Sequence, residues 1–296
     1  MITGMKNTKT IYLVDDDDDD RMLIREAIES IVKDVEIVEV MDGQELLELI
    51  AQTDIEKDLS LILMDMNMPR MSGIESLSIL KSDLSLRHIP VVMISTTSNN
   101  ELIRQAYNKG INAYITKPVS IQEYNHLAEA INVCFLSNYP TLHPVPLSKN
   151  FTTQQILIVE DNHDHWELMK FVLNNSMPNI KLTRTEDEEN TLFFLSTLLK
   201  NSQPLPELVL LDLYMPNRDN GLQILTAIRN FFAANRLMTI PIIVVSASDH
   251  IDDIKDSYRN NANGYMVKSP DLENSLAYFH ELAYFWKSAI TLPKKV

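Results

Sequence analysis

Short apolar runs alternate with stretches of helical period along the whole chain. Runs rich in Val, Ile and Leu lie near 11–14, 35–40, 60–64, 91–94 and 112–115. Runs of that length and composition predict strands of a sheet buried on both faces. Amphipathic stretches fall between and after them, near 20–32, 43–51, 73–82, 99–109 and 120–135; Leu23, Ala27, Ile28 and Ile31, for instance, share one helical face. The alternation then starts again. Strands are predicted near 155–159, 180–183, 208–211, 241–245 and 264–267, with helices between them and a last helix near 271–289. The fold class expected is α/β, two doubly wound (βα)5 units, each with a five-stranded parallel sheet joined by right-handed crossovers.

The second half also repeats the first in its residues. Ile11-Tyr12-Leu13-Val14-Asp15-Asp16 returns as Leu157-Ile158-Val159-Glu160-Asp161, and Leu63-Met64-Asp65-Met66-Asn67-Met68-Pro69 as Leu210-Leu211-Asp212-Leu213-Tyr214-Met215-Pro216. Pro90–Ser95 returns as Pro241–Ser246, and Ala113–Lys117 as Asn263–Lys268 with one extra residue. Four blocks in one order, at a period far longer than a solenoid repeat, predict a duplicated domain. The domains expected are 1–136 and 155–296. The stretch 137–154, with Pro140, Pro144 and Pro146 and few charges, reads as a semi-rigid linker.

Composition narrows the partners. A chain of 296 residues is long enough for two cores, and 45% hydrophobic residues can fill them. The net charge of -15 argues against nucleic acid, whose backbone needs clustered Lys and Arg. No apolar run is long enough to span a bilayer and the first ten residues lack a signal-peptide core, so a cytoplasmic protein with no membrane partner is expected. Cys134, the one cysteine, sits in a helical apolar stretch and reads as a small buried residue.

Each repeated polar block follows a strand run, so all of them project at one rim of the sheet, where such folds bind ligands. In the first copy that rim gathers Asp15, Asp16, Asp65, Ser95 and Lys117. Carboxylates brought together repel one another unless a cation intervenes. Mg2+ suits them, because it takes one or two carboxylates, keeps waters and accepts phosphate oxygens. One carboxylate, Asp65, could then attack phosphorus as a nucleophile. Lys117 would neutralise the phosphoryl oxygens and Ser95 would donate a hydrogen bond to one of them.

These blocks resemble the response-regulator receiver family, whose domains accept phosphoryl groups from histidine kinases. The motif Asp65-Met66-Asn67-Met68-Pro69-Arg70-Met71-Ser72-Gly73 fits the family's Asp-x-x-Met-Pro-x-x-x-Gly throughout. The resemblance implies two flavodoxin-like domains with phosphoacceptors Asp65 and Asp212. It implies Asp16, Asp65 and the Asn67 carbonyl as metal ligands, with Asp15 acting through water. Asp161, Asp212 and the Tyr214 carbonyl match these in the second copy, with Glu160 in the outer role. It also implies Ser95 and Ser246 as the hydroxyls that reorient on phosphorylation, Tyr114 and Tyr265 as aromatic switches, and Lys117 and Lys268 as site lysines. The partners implied are a histidine kinase or histidine phosphotransfer protein and a downstream protein target, with a second copy of the chain a candidate; no separate output domain is expected. The second copy departs from the pattern. It carries one extra residue between Pro216 and Gly221 and has Ser269 between Lys268 and Pro270, while Ala247 stands where the first copy has Thr96.

Other readings remain at this point. Asp15-x-Asp17 also resembles the nucleophile motif of haloacid-dehalogenase-like phosphatases, and one copy could be a docking scaffold that is not phosphorylated. Asp17 to Asp20 read as a helix cap with favourable dipole placement. His163 and His165 read as surface residues at a helix start, because a Mg2+ site prefers oxygen.

Overall fold

The computed structural model describes residues 9–53, 59–136, 155–176 and 180–268, together with 282, 290 and 291. The proline-containing stretch 137–154 and the helix expected near 271–289, apart from Leu282, lie outside the described residues. The chain forms two compact units. One comprises residues 1–136 with 287–296, the other residues 137–286.

The first unit alternates strand and helix throughout: β1 (Lys9–Val14), α1 (Asp18–Ile31), β2 (Val35–Val40), α2 (Gly43–Ile50), β3 (Leu59–Met64), α3 (Gly73–Ser82), β4 (Val91–Ser95), α4 (Asn100–Asn108), β5 (Ala113–Thr116) and α5 (Ile121–Cys134). Its sheet order is β2-β1-β3-β4-β5, and every pairing between named strands is parallel. Crossover helices on both faces leave the central strands no solvent face; all of β4 is buried, as are the last four residues of β1.

Polar residues stop and start the helices where the sequence has them. Asp17 caps α1 by accepting the Asp19 and Asp20 amides, and Ser72 with Glu75 forms a capping box on α3. Gly73 opens α3 because its backbone lies against the end of β3: a Cβ there would overlap the Asp65 carbonyl oxygen. Cys134 is buried at the end of α5. Beyond β5, Ile290 makes an antiparallel bridge to Ile115, the Thr291 amide donates to the Tyr114 carbonyl at 2.7 Å, and Ile290 packs against the core.

The second unit runs β6 (Gln155–Val159), α6 (His163–Ser176), β7 (Lys181–Thr185), α7 (Glu188–Lys200), β8 (Leu208–Asp212), α8 (Arg218–Ala234), β9 (Ile242–Ser246), α9 (Ile251–Arg259) and β10 (Gly264–Val267). Its sheet, β7-β6-β8-β9-β10, has the same order and the same parallel sense. Strands β8 and β9 are buried from end to end. The expected fold is present twice. No helix among the described residues is long and apolar enough to cross a membrane.

Candidate functional site

Parallel strands deliver their carboxyl ends to one rim, and the register fixes which residues meet there. In the first unit the Asp65 amide bonds the Val14 carbonyl at 2.8 Å, the Asp15 amide bonds Val40, and the Lys117 amide bonds Ser95. Asp15 and Asp65 therefore leave the adjacent strands β1 and β3 side by side, and Lys117 leaves β5 on the far side of Ser95, which closes β4. Asp15, Asp16 and Asp65 bring carboxylate oxygens within 4.8 Å of one another. Asp15 and Asp65 are buried, 2% and 7% exposed, while Asp16 faces solvent.

Charge is distributed unevenly over this pocket. The Lys117 ammonium sits 2.8 Å from Asp15 Oδ2 and 2.6 Å from Asp20 Oδ2, but 3.9 Å from Asp65 Oδ2. Burial works against that ammonium, yet its hydrogen bonds to Asp15 and Asp20 outweigh burial and hold its pKa above lysine's ordinary value. Burial pushes the Asp15 carboxyl up, with Lys117 only partly offsetting it. Asp65 Oδ2 accepts the Asn67 amide at 3.3 Å, whereas its buried Oδ1 has no hydrogen-bond partner. A buried, unpartnered carboxylate oxygen is costly, and it faces a cluster of like charge that a divalent ion would satisfy. Three hard oxygens, one of them accessible, fit such an ion.

The second unit builds the same rim with different charges. The Glu160 amide bonds the Thr185 carbonyl and the Lys268 amide bonds Ser246, so Glu160, Asp212, Ser246 and Lys268 occupy corresponding places. Here the lysine lies on the strand carboxylate. Lys268 Nζ is 2.8 Å from Asp212 Oδ2, 2.9 Å from Glu160 Oε2 and 3.2 Å from His165 Nδ1. Burial pushes the Glu160 carboxyl up against the pull of Lys268. Donor atoms of Glu160, His165 and Asp212 lie within 4.8 Å of one another. Asp161 is not part of that group among the described residues; it is exposed, and Arg184 holds the Glu160 and Asp161 carbonyls at 2.8 Å each. In the first unit a buried arginine, Arg21, donates to the Asp15 carbonyl from α1.

The tyrosines occupy matching positions. Tyr114 donates its hydroxyl to the Thr97 carbonyl at 2.9 Å and Tyr265 to the Ser248 carbonyl at 2.8 Å; both rings are fully buried. Each thereby ties β5 or β10 to the loop following the strand-end serine.

The loop carrying the extra residue is shaped differently in the two units. Helix α8 starts at Arg218, three residues ahead of Gly221, whereas α3 starts at Gly73. Gly221 still keeps its close approach, since a Cβ would overlap the Leu213 carbonyl. The Met215–Pro216 peptide in this loop is cis; Lys117–Pro118 is not. The earlier start brings Arg218 onto Asp253 of α9, with Nε 2.5 Å from Oδ1, while the Tyr214 and Ser248 hydroxyls donate to Oδ2 at 2.8 and 2.5 Å. Burial raises the Asp253 carboxyl, but the hydrogen bonds from Ser248, Arg218 and Tyr214 win and hold it below the usual range. Arg218 also pairs with Asp256.

Asp20, His165, Arg21, Arg184 and Asp253 were not singled out as site residues by sequence reasoning. A signal for two of them exists. Asp20 and His165 each stand four residues, about one helical turn, beyond the second acid of their strand-end pair.

Comparison with known proteins gives the family of both halves. Residues 11–131 and 156–279 each match the family model described as the response regulator receiver domain. The response regulator Rcp1 of Synechocystis sp. is 32% identical over 139 residues, spanning 47% of this chain and 92% of that protein. The polar-differentiation response regulator DivK of Brucella ovis is 36% identical over 120 residues, spanning 40% of this chain and 90% of that protein. Among solved structures, the phosphorylated cyanobacterial phytochrome response regulator RcpA is 35% identical, with a TM-score of 0.39, covering 42% of this chain and 91% of that one.

Proposed function

Because the chain belongs to the response regulator receiver domain family in both halves, we propose that it is a two-component signalling protein in which Asp65 and Asp212 accept phosphoryl groups. The observation that carries this reading is the unpartnered Asp65 Oδ1, buried at the rim beside Lys117 and two further acids. The two receiver domains would each take a phosphoryl group from a histidine kinase or histidine phosphotransfer protein and pass the state to a protein target.

Asp15, Asp16 and Asp65, with the Asn67 carbonyl, would hold Mg2+ in the first domain; Glu160, Asp161, Asp212 and the Tyr214 carbonyl are the matching set in the second. The ion supplies charge neutralisation and a fixed place for phosphate oxygens. In the transfer a carboxylate oxygen of Asp65 forms the new bond to phosphorus as the bond from phosphorus to the donor breaks and the donor group leaves. Lys117, already charged and anchored on Asp15 and Asp20, faces the transferred group. Ser95 and Ser246 donate to a phosphoryl oxygen, and the Tyr114 and Tyr265 contacts to Thr97 and Ser248 put the following loops under the same control. The phosphatase alternative needs Asp17 as an acid beside Asp15. Its carboxylate instead caps α1.

Incubation of the full chain with Mg2+ and acetyl phosphate, followed by intact mass, tests the reading. One or two phosphates are expected on the wild type, with the first lost in Asp65→Asn. An unchanged wild-type mass would refute it.

A further inference from the structure

In the second unit three donor atoms of two chemical kinds converge on one cation. Glu160 Oε2, Asp212 Oδ2 and His165 Nδ1 surround the Lys268 ammonium at 2.9, 2.8 and 3.2 Å. The ammonium thus marks a place built to hold positive charge. His165 Nδ1 lies 3.5 Å from Glu160 Oε1, close to the roughly 3.3–3.5 Å that separates two ligands about 2.1 Å from a tetrahedral ion. The first unit offers no nitrogen: its three converging side chains are all carboxylates, and Asp20 stands where the second unit has His165.

Donor type selects the ion. Carboxylate oxygens suit Mg2+, which gives up water reluctantly for an imidazole, whereas a mixed nitrogen and oxygen set favours first-row transition ions in the order ending at copper and zinc. We propose that the second receiver domain binds a Zn2+-class transition ion through His165, Glu160 and Asp212, in preference to the Mg2+ its twin would take. The inference rests on the divalent-metal part of the reading above and departs from it in the identity of the ion and in the use of His165 instead of Asp161. Binding draws the imidazole and both carboxylates onto the ion and displaces Lys268 from between them. Glu160 and Asp212 are already fixed by burial, and His165 is held on α6, the helix that Asn162 opens by accepting the Asp164 and His165 amides.

Calorimetric titration of the full chain with Zn2+, and separately with Mg2+, tests this. Wild type is expected to show a Zn2+ site that His165→Asn weakens at least tenfold and that Lys268→Met, lacking the competing ammonium, tightens. His163→Asn should leave it unchanged, since that imidazole lies by Arg184. Trp166, next to His165, supplies a local reading through quenching of its fluorescence by Co2+, which His165→Asn should relieve. Zn2+ affinity within twofold of wild type in His165→Asn, or an equal loss in His163→Asn, overturns the proposal. Its failure and that of the signalling reading are separable: acetyl phosphate with Mg2+ still adds mass at Asp65 if only the zinc inference is wrong, and adds none if the broader reading is.

Discussion

Two rims of the same design treat their lysines in opposite ways. In the first unit Lys117 is drawn to Asp15 and Asp20 and stays 3.9 Å from Asp65; in the second, Lys268 rests 2.8 Å from Asp212. The strands that present the two lysines pair alike, so strand geometry does not account for the difference. One helical side chain does. Asp20 is a carboxylate that competes for the ammonium, whereas His165 is an imidazole whose 3.2 Å contact leaves the ammonium on Asp212. A residue on the first turn of a helix thereby sets apart a strand-end aspartate that is left open from one that is covered by the protein's own cation.

The units differ again in how the loop after the strand-end aspartate is held. In the second, Asp253 gathers Arg218, Tyr214 and Ser248 at a nearly buried point; in the first, Leu102 stands at the same distance from its helix cap and packs on the apolar core. If that carboxylate is the fastening it resembles, giving the second unit its twin's residue should be expensive. Asp253→Leu removes three charge-assisted hydrogen bonds, from Arg218, Tyr214 and Ser248, for an expected loss of about 2 kcal/mol, read as a lower urea midpoint. A neutral result would mean that Arg218 and Asp256 alone fasten the loop. Because the Asp253 pKa lies below its ordinary value, the contribution is present above the usual carboxylate range and disappears as pH falls through the depressed value. Wild type and Asp253→Leu should therefore converge in strongly acidic solution.

A smaller effect tests the lysines themselves. Asp20→Asn frees Lys117 to move onto Asp65, as Lys268 has moved onto Asp212. Mg2+ affinity of the first unit should fall about tenfold, ~1.4 kcal/mol, by calorimetry. Unchanged affinity would separate the position of the lysine from metal access and undo the comparison drawn above.

How far these differences could be read in advance follows from what each depends on. The strands and the rim acids were legible because a buried parallel strand must be a run of Val, Ile and Leu, and whatever follows it must emerge at the rim. Asp65, Lys117 and their counterparts needed nothing more. Asp20 was hidden inside a run of six identical residues, in which composition cannot distinguish the cap Asp17 from the lysine's partner. His165 needed the rotation of α6 about its axis, which decides whether a first-turn side chain faces the rim or solvent. The Arg218–Asp253 pair joins positions far apart in the chain and depends on α8 starting early, a consequence of the extra loop residue whose direction of growth was not evident from its presence.

The mildest prediction concerns the stability held back at the rim. Burial raises the Glu160 pKa and the Asp212 charge adds to it, so the charged form of this carboxyl costs the folded state stability that the protonated form does not. Between the ordinary glutamate value and that raised one, the native protein binds more protons than the unfolded chain, and unfolding free energy rises as pH falls through this window. Glu160→Gln removes the charge while keeping the shape, and Lys268 retains Asp212. The variant should gain about 1 kcal/mol near neutrality, the size of gain found when a functional strain is relieved. The gain should shrink as the solution is acidified toward pH 4.5, where wild type recovers the same stability by taking up a proton. A gain that stayed constant with pH would assign it to packing. A loss instead would show that the Lys268 contact outweighs desolvation, and that the second rim is stabilised, not strained, by its buried acid.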